Sequence, residues 1–391
     1  MSARVSSVLV AIAIALVGCS GSSSNEQELQ PVEIPSPPPE PEPPTAPAEP
    51  ILVQRSRPIM GTVFQVTVLG MPEEQAEPLI YRALDEIDRL ETVLSEWRDD
   101  SEIGTLNARA GRAAVPLGPD SMAVLEAGLD VSRWSGGAFD VSWAALRGLY
   151  SFDPDDPQVP STREVRDRLR LVGWEQIQLD PDAHTGRLAR AGMAVGTGGI
   201  AKGYALDRAG AILEHGGADS FMLFGGGQVQ VHGMRGDRPW RVGIQHPRDP
   251  ATYIGFLESS GGSISTSGDY EHAFVDDSGT HWHHIIDLHT GLPSRRSIQV
   301  TLLADEGVYA DALSTACFIL GPPECLRMLA EIPGHHEAVI IDPELRIHTT
   351  PGTEERIVWR VERDASGRIP GDPAFVGWER GGPIGGVPAP Q

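Results

Sequence analysis

The sequence predicts an α+β fold with a largely antiparallel sheet and helices packed on it. Two observations carry that reading. Short β-rich runs follow one another, with helices between groups of them. No regular strand–helix–strand repeat appears, which argues against a doubly wound parallel sheet. No longer internal repeat is present either.

Taken in order, Thr62–Leu69 is β-branched and partly alternating and reads as a strand. Glu73–Ser95 carries Leu79, Ala83, Ile87, Leu90 and Leu94 at helical spacing, so one face is apolar. Asp120–Trp134 reads as a second helix that stops at Gly136-Gly137. Asp153–Pro160 is a Pro/Asp-rich loop, and Thr162–Leu171 a short charged helix. Gly199–His215 is a third long helix, closed by Gly216-Gly217 in the C-cap position. Short strands are expected at Phe221–Phe224, Val229–His232, Trp240–Gln245, His283–Asp287 and Gln299–Leu303. A helix over Val308–Leu320 and a last core strand, Ala338–Ile341, complete the pattern.

The ends read differently. Arg4 precedes an apolar run, Val8–Val17, which is too short to span a bilayer, for which about 20 residues are needed. Leu16-Val17-Gly18-Cys19 then matches the lipobox of bacterial lipoprotein precursors. Residues 1–18 are therefore expected to be a signal peptide, with Cys19 carrying lipid (diacylglycerol and palmitate-type acyl chains). Residues 19–50 are rich in Ser, Glu and Pro and cannot bury enough surface to fold, so they read as a linker. The remaining chain, about 340 residues from Ile51, is large enough for a substantial core, taken as a domain over 51–360. Residues 361–391 read as a Gly/Pro-rich tail. A net charge of −23 with no basic stripe excludes a nucleic-acid binder. Cys317 and Cys325 lie eight apart around Pro322-Pro323. Two small thiols are the favoured reading, with a disulfide as the alternative in an oxidising compartment.

Four segments could carry chemistry. Gly196-Thr197-Gly198-Gly199-Ile200-Ala201-Lys202-Gly203-Tyr204 opens a helix, whose free N–H groups and dipole attract anions. It is not a Walker A loop, because Ala201 and Gly203 stand where Gly and Ser or Thr are required. Asp311 and Thr315, four apart on a helix, project from one face and offer oxygens suited to Mg²⁺. His281, His283 and His284 invite a zinc reading, but on a strand His284 faces away from the other two. Gly262–Gly268 lacks a G-x-S-x-G elbow and reads as a hydroxyl-lined loop beside a ligand. Arg57–Thr62 and Gly137–Ser142 are small-plus-apolar segments able to line a flat aromatic ligand.

In this order, these segments resemble the FAD:protein FMN transferases, the ApbE family, from about Arg55 to about Pro343. The resemblance is carried by Met60-Gly61-Thr62, Leu94-Ser95-Glu96-Trp97, Asp100-Ser101-Glu102-Ile103, Ala138-Phe139-Asp140-Val141 and Gly199–Ala205. It continues through Gly225-Gly226-Gly227, Trp240–Gln245, Ser265–Gly268, His284–Asp287, Thr290–Pro293 and Ala310–Thr315. It implies an ApbE-like (T-fold-like) architecture with a smaller helical part near residues 120–190. The implied reaction splits FAD at its pyrophosphate, releases AMP and attaches FMN to a threonine hydroxyl of an acceptor protein. By matching positions, the resemblance implies Mg²⁺ on Asp311, Thr315 and the Gly199 carbonyl. It implies FAD on Met60, Trp97, Ala138, Phe139, Asp140, Gly196, Lys202 and Ile286. Trp97 falls where many members have tyrosine, and Gly196 where many have aspartate. His284 is a candidate proton-handling group near the reacting phosphate, beside Asp311. Exported, lipid-anchored members imply a place on the periplasmic side of the inner membrane, with membrane redox subunits as acceptors. Two other readings stay open from sequence: a Mg²⁺-dependent FAD pyrophosphatase giving FMN and AMP, and a flavin-binding lipoprotein without turnover.

Overall fold

The computed structural model describes residues 51–153 and 155–374. The signal segment, Cys19 and the linker to residue 50 lie outside the described residues, as do residues 375–391.

Eight strands form the main sheet, side by side in chain order. They are β1 (Leu52–Ile59), β2 (Thr62–Leu69), β3 (Phe221–Gly225), β4 (Gln228–His232), β5 (Gly261–Gly268), β6 (Gln299–Ala304), β7 (His336–Ile341) and β8 (Ile347–Thr349). Every neighbouring pair is antiparallel. The sheet is thus a meander with long insertions. Between β2 and β3 run α1 (Glu73–Leu94), α2 (Glu102–Ala108), α3 (Pro119–Trp134), α4 (Thr162–Leu169) and α5 (Ala201–His215). Between β6 and β7 run α6 (Gly307–Leu320) and α7 (Pro322–Glu331).

Both faces of the sheet are covered, and the period of two assigns each side chain to one of them. Phe64, Val66, Val68, Val300, Leu302, Ala338 and Ile340 enter the core shared with the helices. Val229, Val231, Ile264, Leu303, Val339 and Ile341 enter a second core on the other face. A four-stranded sheet closes that second core; its long strands, Arg238–His246 and Asp249–Ser259, supply Trp240, Ile244, Ile254 and Leu257. Helix α1 buries Ala76, Ile80, Ala83, Leu84, Ile87, Leu90 and Leu94 against the first core. Helix α6 is buried nearly all round, as befits a helix held between the sheet and other helices.

Helices α5 and α6 cross at Gly203 and Gly307. A Cβ on Gly203 would lie 1.9 Å from the Gly307 carbonyl oxygen, and one on Gly307 would lie 2.5 Å from that of Gly203. Only glycine on both helices permits this approach.

Several elements depart from the sequence reading. Gly262–Gly268 is not a loop but lies within central strand β5. Its serines read as loop residues because the layer they face is polar. His283–Asp287 is not one strand: His281–His283 pairs with Ala273–Val275, and Ile286–Asp287 pairs with Leu292–Pro293. Pro322-Pro323 does not break the chain but starts α7, where missing N–H groups cost nothing. That sharp α6–α7 junction brings Cys317 and Cys325 together as a disulfide, which corrects the expectation of two thiols. The part near residues 120–190 is not purely helical, since Val115–Pro116, Thr185–Leu188 and Ile177–Asp180 form a small antiparallel sheet. The packed chain also extends past residue 360: Ile369 is buried in the second core, and His246 Nε2 contacts the Pro370 carbonyl at 2.9 Å.

Gly203→Ala is expected to force the α5–α6 crossing apart and to destabilise the fold by about 1–3 kcal/mol, the usual cost of overpacking. Urea unfolding measures this, and an unchanged midpoint would refute the close crossing.

Candidate functional site

The helix-facing side of the middle strands is polar, unlike its flanks. Gln228 and Gln230 on β4, and Ser263, Ser265 and Ser267 on β5, occupy this face. Gln228 Nε2 donates to Ser265 Oγ at 2.8 Å and to Asp311 Oδ1 at 2.9 Å. Ser314 Oγ donates to the Asp311 carbonyl at 2.8 Å and lies 2.9 Å and 2.8 Å from the hydroxyls of Ser265 and Ser267.

Into this layer point the N-termini of α5 and α6, each capped by a carboxylate from the other helix. Asp311, on α6, accepts from the Gly203 N–H at 3.1 Å and from the Lys202 N–H. Asp207, on α5, accepts from the Gly307 N–H at 2.6 Å and the Val308 N–H at 2.9 Å. Burial drives the proton affinity of both upward. For Asp207 it outweighs the two N–H groups, and the pKa rises to about 7. Burial raises that of Asp311 too, against the opposing pull of the Lys202 charge and the two amides. The Asp311 carboxylate is 4% exposed, and among the described residues it makes hydrogen bonds but no salt bridge.

Thr315 lies one turn further along α6. Its Oγ1 has only a long contact, 3.4 Å, to Ser267 Oγ. The Gly199 backbone lies beside it, since a Cβ on Gly199 would sit 3.8 Å from Thr315 Oγ1 and 3.4 Å from the Phe139 ring. The three positions expected at a metal therefore converge. Among the described residues no three His, Cys, Asp or Glu side chains cluster as metal ligands. One carboxylate, one hydroxyl and nearby backbone form a sparse, hard-oxygen donor set. It fits Mg²⁺, which keeps waters and takes phosphate oxygens as further ligands. A buried carboxylate lacking a salt bridge is neutralised by a proton or by a cation, and a cation bound here would oppose the upward shift that burial imposes on Asp311.

Lys202 donates from Nζ to the Gly198 carbonyl at 2.9 Å. Its charge lowers the proton affinity of both Asp311 and His284. His284 Nδ1 lies 3.0 Å from the Glu271 carbonyl. A carbonyl only accepts, so Nδ1 carries the proton and Nε2 presents a lone pair. His284 is exposed, and desolvation by neighbouring protein, with the charges of His272 and His283, lowers its pKa. His283, on the opposite side, is fully used: Nε2 donates to the Ser294 carbonyl at 2.8 Å, and Nδ1 accepts from the Ile285 N–H at 3.3 Å.

The remaining expected positions divide into two groups. Met60 and Gly61 both have positive φ, +50° and +70°, and form the two-residue β1–β2 turn. The Gly226-Gly227 turn repeats that geometry at the same end of the sheet, beside the Thr266 N–H at the end of β5. Phe139 is packed in the core with its ring beside Gly199, and Ile286 is half-buried in its short strand. Trp97 is 72% exposed, with one face covered by the Arg147 guanidinium at 4.3 Å. At three other positions the side-chain space is already taken up within the protein. Ala138 is packed in the core. Both Asp140 oxygens are engaged internally, by the Ser142 N–H and hydroxyl at 2.7 Å and by the Trp174 N–H at 3.0 Å. At Gly196 the Trp143 indole fills the space where a side chain would be, 2.5 Å from an ideal Cβ.

The sequence reading missed Gln228, Asp207, Glu96 and Arg147. A signal existed for Gln228: Gln228-Val229-Gln230-Val231 alternates, which puts two amides on one face of a central strand. Asp207 had no local signal, because its partner amides lie 100 residues away.

The chain was compared with known proteins. The ApbE family model matches residues 60–340. A FAD:protein FMN transferase of Treponema pallidum is 33% identical over 326 residues, covering 78% of this chain and 88% of that protein. One of Klebsiella pneumoniae is 28% identical, covering 74% and 84%. Among solved structures, the ApbE protein of Thermotoga maritima superposes with a TM-score of 0.72 at 26% identity, over 78% of this chain and 99% of that one. The apo flavinyl transferase ApbE of Pseudomonas stutzeri gives 0.67 at 26%, over 78% and 97%.

His283 gives a pH prediction. Its folded pKa, about 3, lies below the unfolded value, so below about pH 6.5 the unfolded chain binds the extra proton. Its contribution is intact above that pH and is lost on acidification, at up to ~1.4 kcal/mol per pH unit. Between pH 7 and 5, the parent is therefore expected to lose more stability than His283→Gln in urea unfolding. Equal losses would contradict the buried neutral imidazole.

Proposed function

This chain belongs to the ApbE family, and on that premise we propose that it transfers the FMN half of FAD to an acceptor protein and releases AMP. The observation that carries the reading is the Asp311 carboxylate, buried without a salt bridge, beside the Thr315 hydroxyl and Gly199 at the start of α5. That arrangement suits a pyrophosphate with its counter-cation.

Asp311, Thr315 and the Gly199 carbonyl would hold Mg²⁺, which supplies charge neutralisation for phosphate oxygens. The chain's own residues do the rest. Lys202, on the first turn of α5, offers a positive charge to a phosphate. Trp97 presents one open ring face for stacking on a flavin or adenine. Phe139 and Met60 provide apolar wall. In the transfer, an acceptor threonine oxygen forms a bond to the FMN phosphorus. The bond from that phosphorus to the bridging oxygen breaks, and its electron pair leaves with AMP. The hydroxyl proton must leave as well, and Nε2 of His284, which the Nδ1–Glu271 contact leaves as an acceptor, would receive it. Negative phosphate charge beside the imidazole raises its proton affinity from the low value of the free site.

We further infer that Cys19 anchors the protein by lipid on the periplasmic face of the inner membrane. The 19–50 segment would then act as a tether that raises effective concentration over membrane-bound acceptors. Support for this comes from the lipobox and the linker composition.

The test combines protein, FAD, Mg²⁺ and a candidate acceptor domain, then weighs the acceptor and assays AMP. An FMN-sized mass gain on a threonine is expected. AMP without the adduct would replace transfer by hydrolysis, and retained flavin without AMP would leave only binding. Asp311→Ala is expected to lower AMP release by at least about 100-fold, consistent with loss of a catalytic metal ligand. Chelation with EDTA should do the same, and activity surviving both would refute the metal site.

A further inference from the structure

A second carboxylate controls the approach to α5 from outside it. Glu96 lies just past the end of α1 and is 6% exposed. Its Oε2 accepts from the backbone N–H of Thr197 and from that of Gly198, the latter at 3.0 Å. Those are the amides that the glycine-rich segment would otherwise offer to an anion, so Glu96 already occupies that place. The Thr197 hydroxyl donates to the Leu94 carbonyl at 2.7 Å, which ties the same loop to the end of α1. Gly199, the next residue in the loop, is the one beside Thr315.

The other end of Glu96 is equally constrained. Arg147 Nη2 lies 3.2 Å from Glu96 Oε1, and Arg147 Nη1 donates to the Glu96 carbonyl at 2.7 Å. The guanidinium so held stacks on Trp97 at 4.3 Å. It covers one face of the indole and leaves the other open. A third contact completes the brace: Trp143 Nε1 donates to the Gly196 carbonyl at 3.2 Å, with its ring in the space above Gly196. One ion pair thus joins the α1–α2 connection, the segment after Phe139 and the loop before α5.

We propose that Glu96 is a positioning residue which fixes the Gly199 backbone on the metal side directly, through the Thr197 and Gly198 amides, and the Trp97 ring on the flavin or adenine side through Arg147. The proposal rests on the reading that FAD and Mg²⁺ bind at this site. Its chemistry is that of a built-in anion. A carboxylate accepts from two loop amides and pairs its charge with the guanidinium, whose Nη2 lies at ion-pair distance, whereas an amide in its place would face Arg147 with a donor or abandon the loop.

The test titrates FAD into the full purified protein, followed by flavin fluorescence, across a range of Mg²⁺ concentrations. Glu96→Gln, Arg147→Met and the double variant are compared with the parent, with thermal unfolding of each. Glu96→Gln is expected to weaken FAD binding and to raise the half-saturating Mg²⁺ concentration, each about tenfold, in line with the loss of a charge-assisted contact. Arg147→Met is expected to weaken FAD binding while leaving the Glu96–loop bonds, and hence the Mg²⁺ requirement, within about twofold. The double variant should be no worse than Glu96→Gln, because the pair acts as one unit. Unchanged FAD and Mg²⁺ titrations with only a lowered melting temperature would reduce Glu96 to a structural role and overturn the proposal. So would effects that multiply in the double variant. Should Glu96→Gln fail to fold, Arg147→Met alone decides, because unaltered FAD affinity in it removes the link to Trp97. These readouts do not depend on turnover. A parent that binds FAD normally but makes neither AMP nor adduct would sink the transferase reading and leave this one to be judged by the same titrations.

Discussion

The site depends on one contact, the crossing of α5 and α6 at Gly203 and Gly307, with each helix N-terminus capped by a carboxylate of the other. Two helix dipoles point their positive ends into a small volume. Asp311 and Asp207 answer them from across the crossing, over sequence distances of about 100 residues. The same geometry that satisfies the caps leaves Asp311 buried beside Thr315 and Gly199. A charged-acceptor hydrogen bond contributes about 1.5–3 kcal/mol, while desolvating a carboxylate costs several, so the caps alone do not neutralise that charge. The proposed cation site would therefore rest on helix packing rather than on a dedicated cluster of ligands.

The sheet is adapted to this. Its flanking strands send large apolar side chains toward the helices, and its middle strands send Gln228, Gln230, Ser263 and Ser265. Buried amides and hydroxyls are usually paired, and this layer is paired in part: Ser263 Oγ and Gln230 Oε1 have no hydrogen-bond partner among the described residues. Here Gln228 bridges Ser265 and Asp311, and Ser314 joins Ser265 and Ser267. The polar layer therefore sets the orientation of the carboxylate that the helix crossing brings in. The other face of the same strands, with Val229, Val231 and Ile264, stays apolar and holds the second core together.

Much of the architecture was legible in the chain. The periodicity of α1, α3, α5 and α6 placed those helices within a residue or two, and β-branched runs placed β2, β4, β6 and β7. What failed was local context. The β5 serines looked like loop residues because composition cannot reveal a polar interior. The α7 start at Pro322-Pro323, and with it the Cys317–Cys325 disulfide, was not read from the sequence. At the site, the Asp311/Thr315 pair was visible as an i, i+4 relation. Side-chain roles at Gly196 and Asp140 were not, since Trp143 and Trp174 reach them from other elements.

The sequence by itself determined the long helices α1, α3, α5 and α6 and the strands β2, β4, β6 and β7, the family to which the order of motifs belongs, and the carboxylate–hydroxyl pair on one helix face. Those properties are periodic or local, and a single chain displays them. Only the tertiary structure decided that Gly199 meets Thr315, that Gln228 orients Asp311, and that Glu96 rather than a residue of the loop itself holds the approach to α5. Each of these joins residues from about 80 to about 115 positions apart. Their partners are chosen by packing, so no spacing within one segment could have announced them.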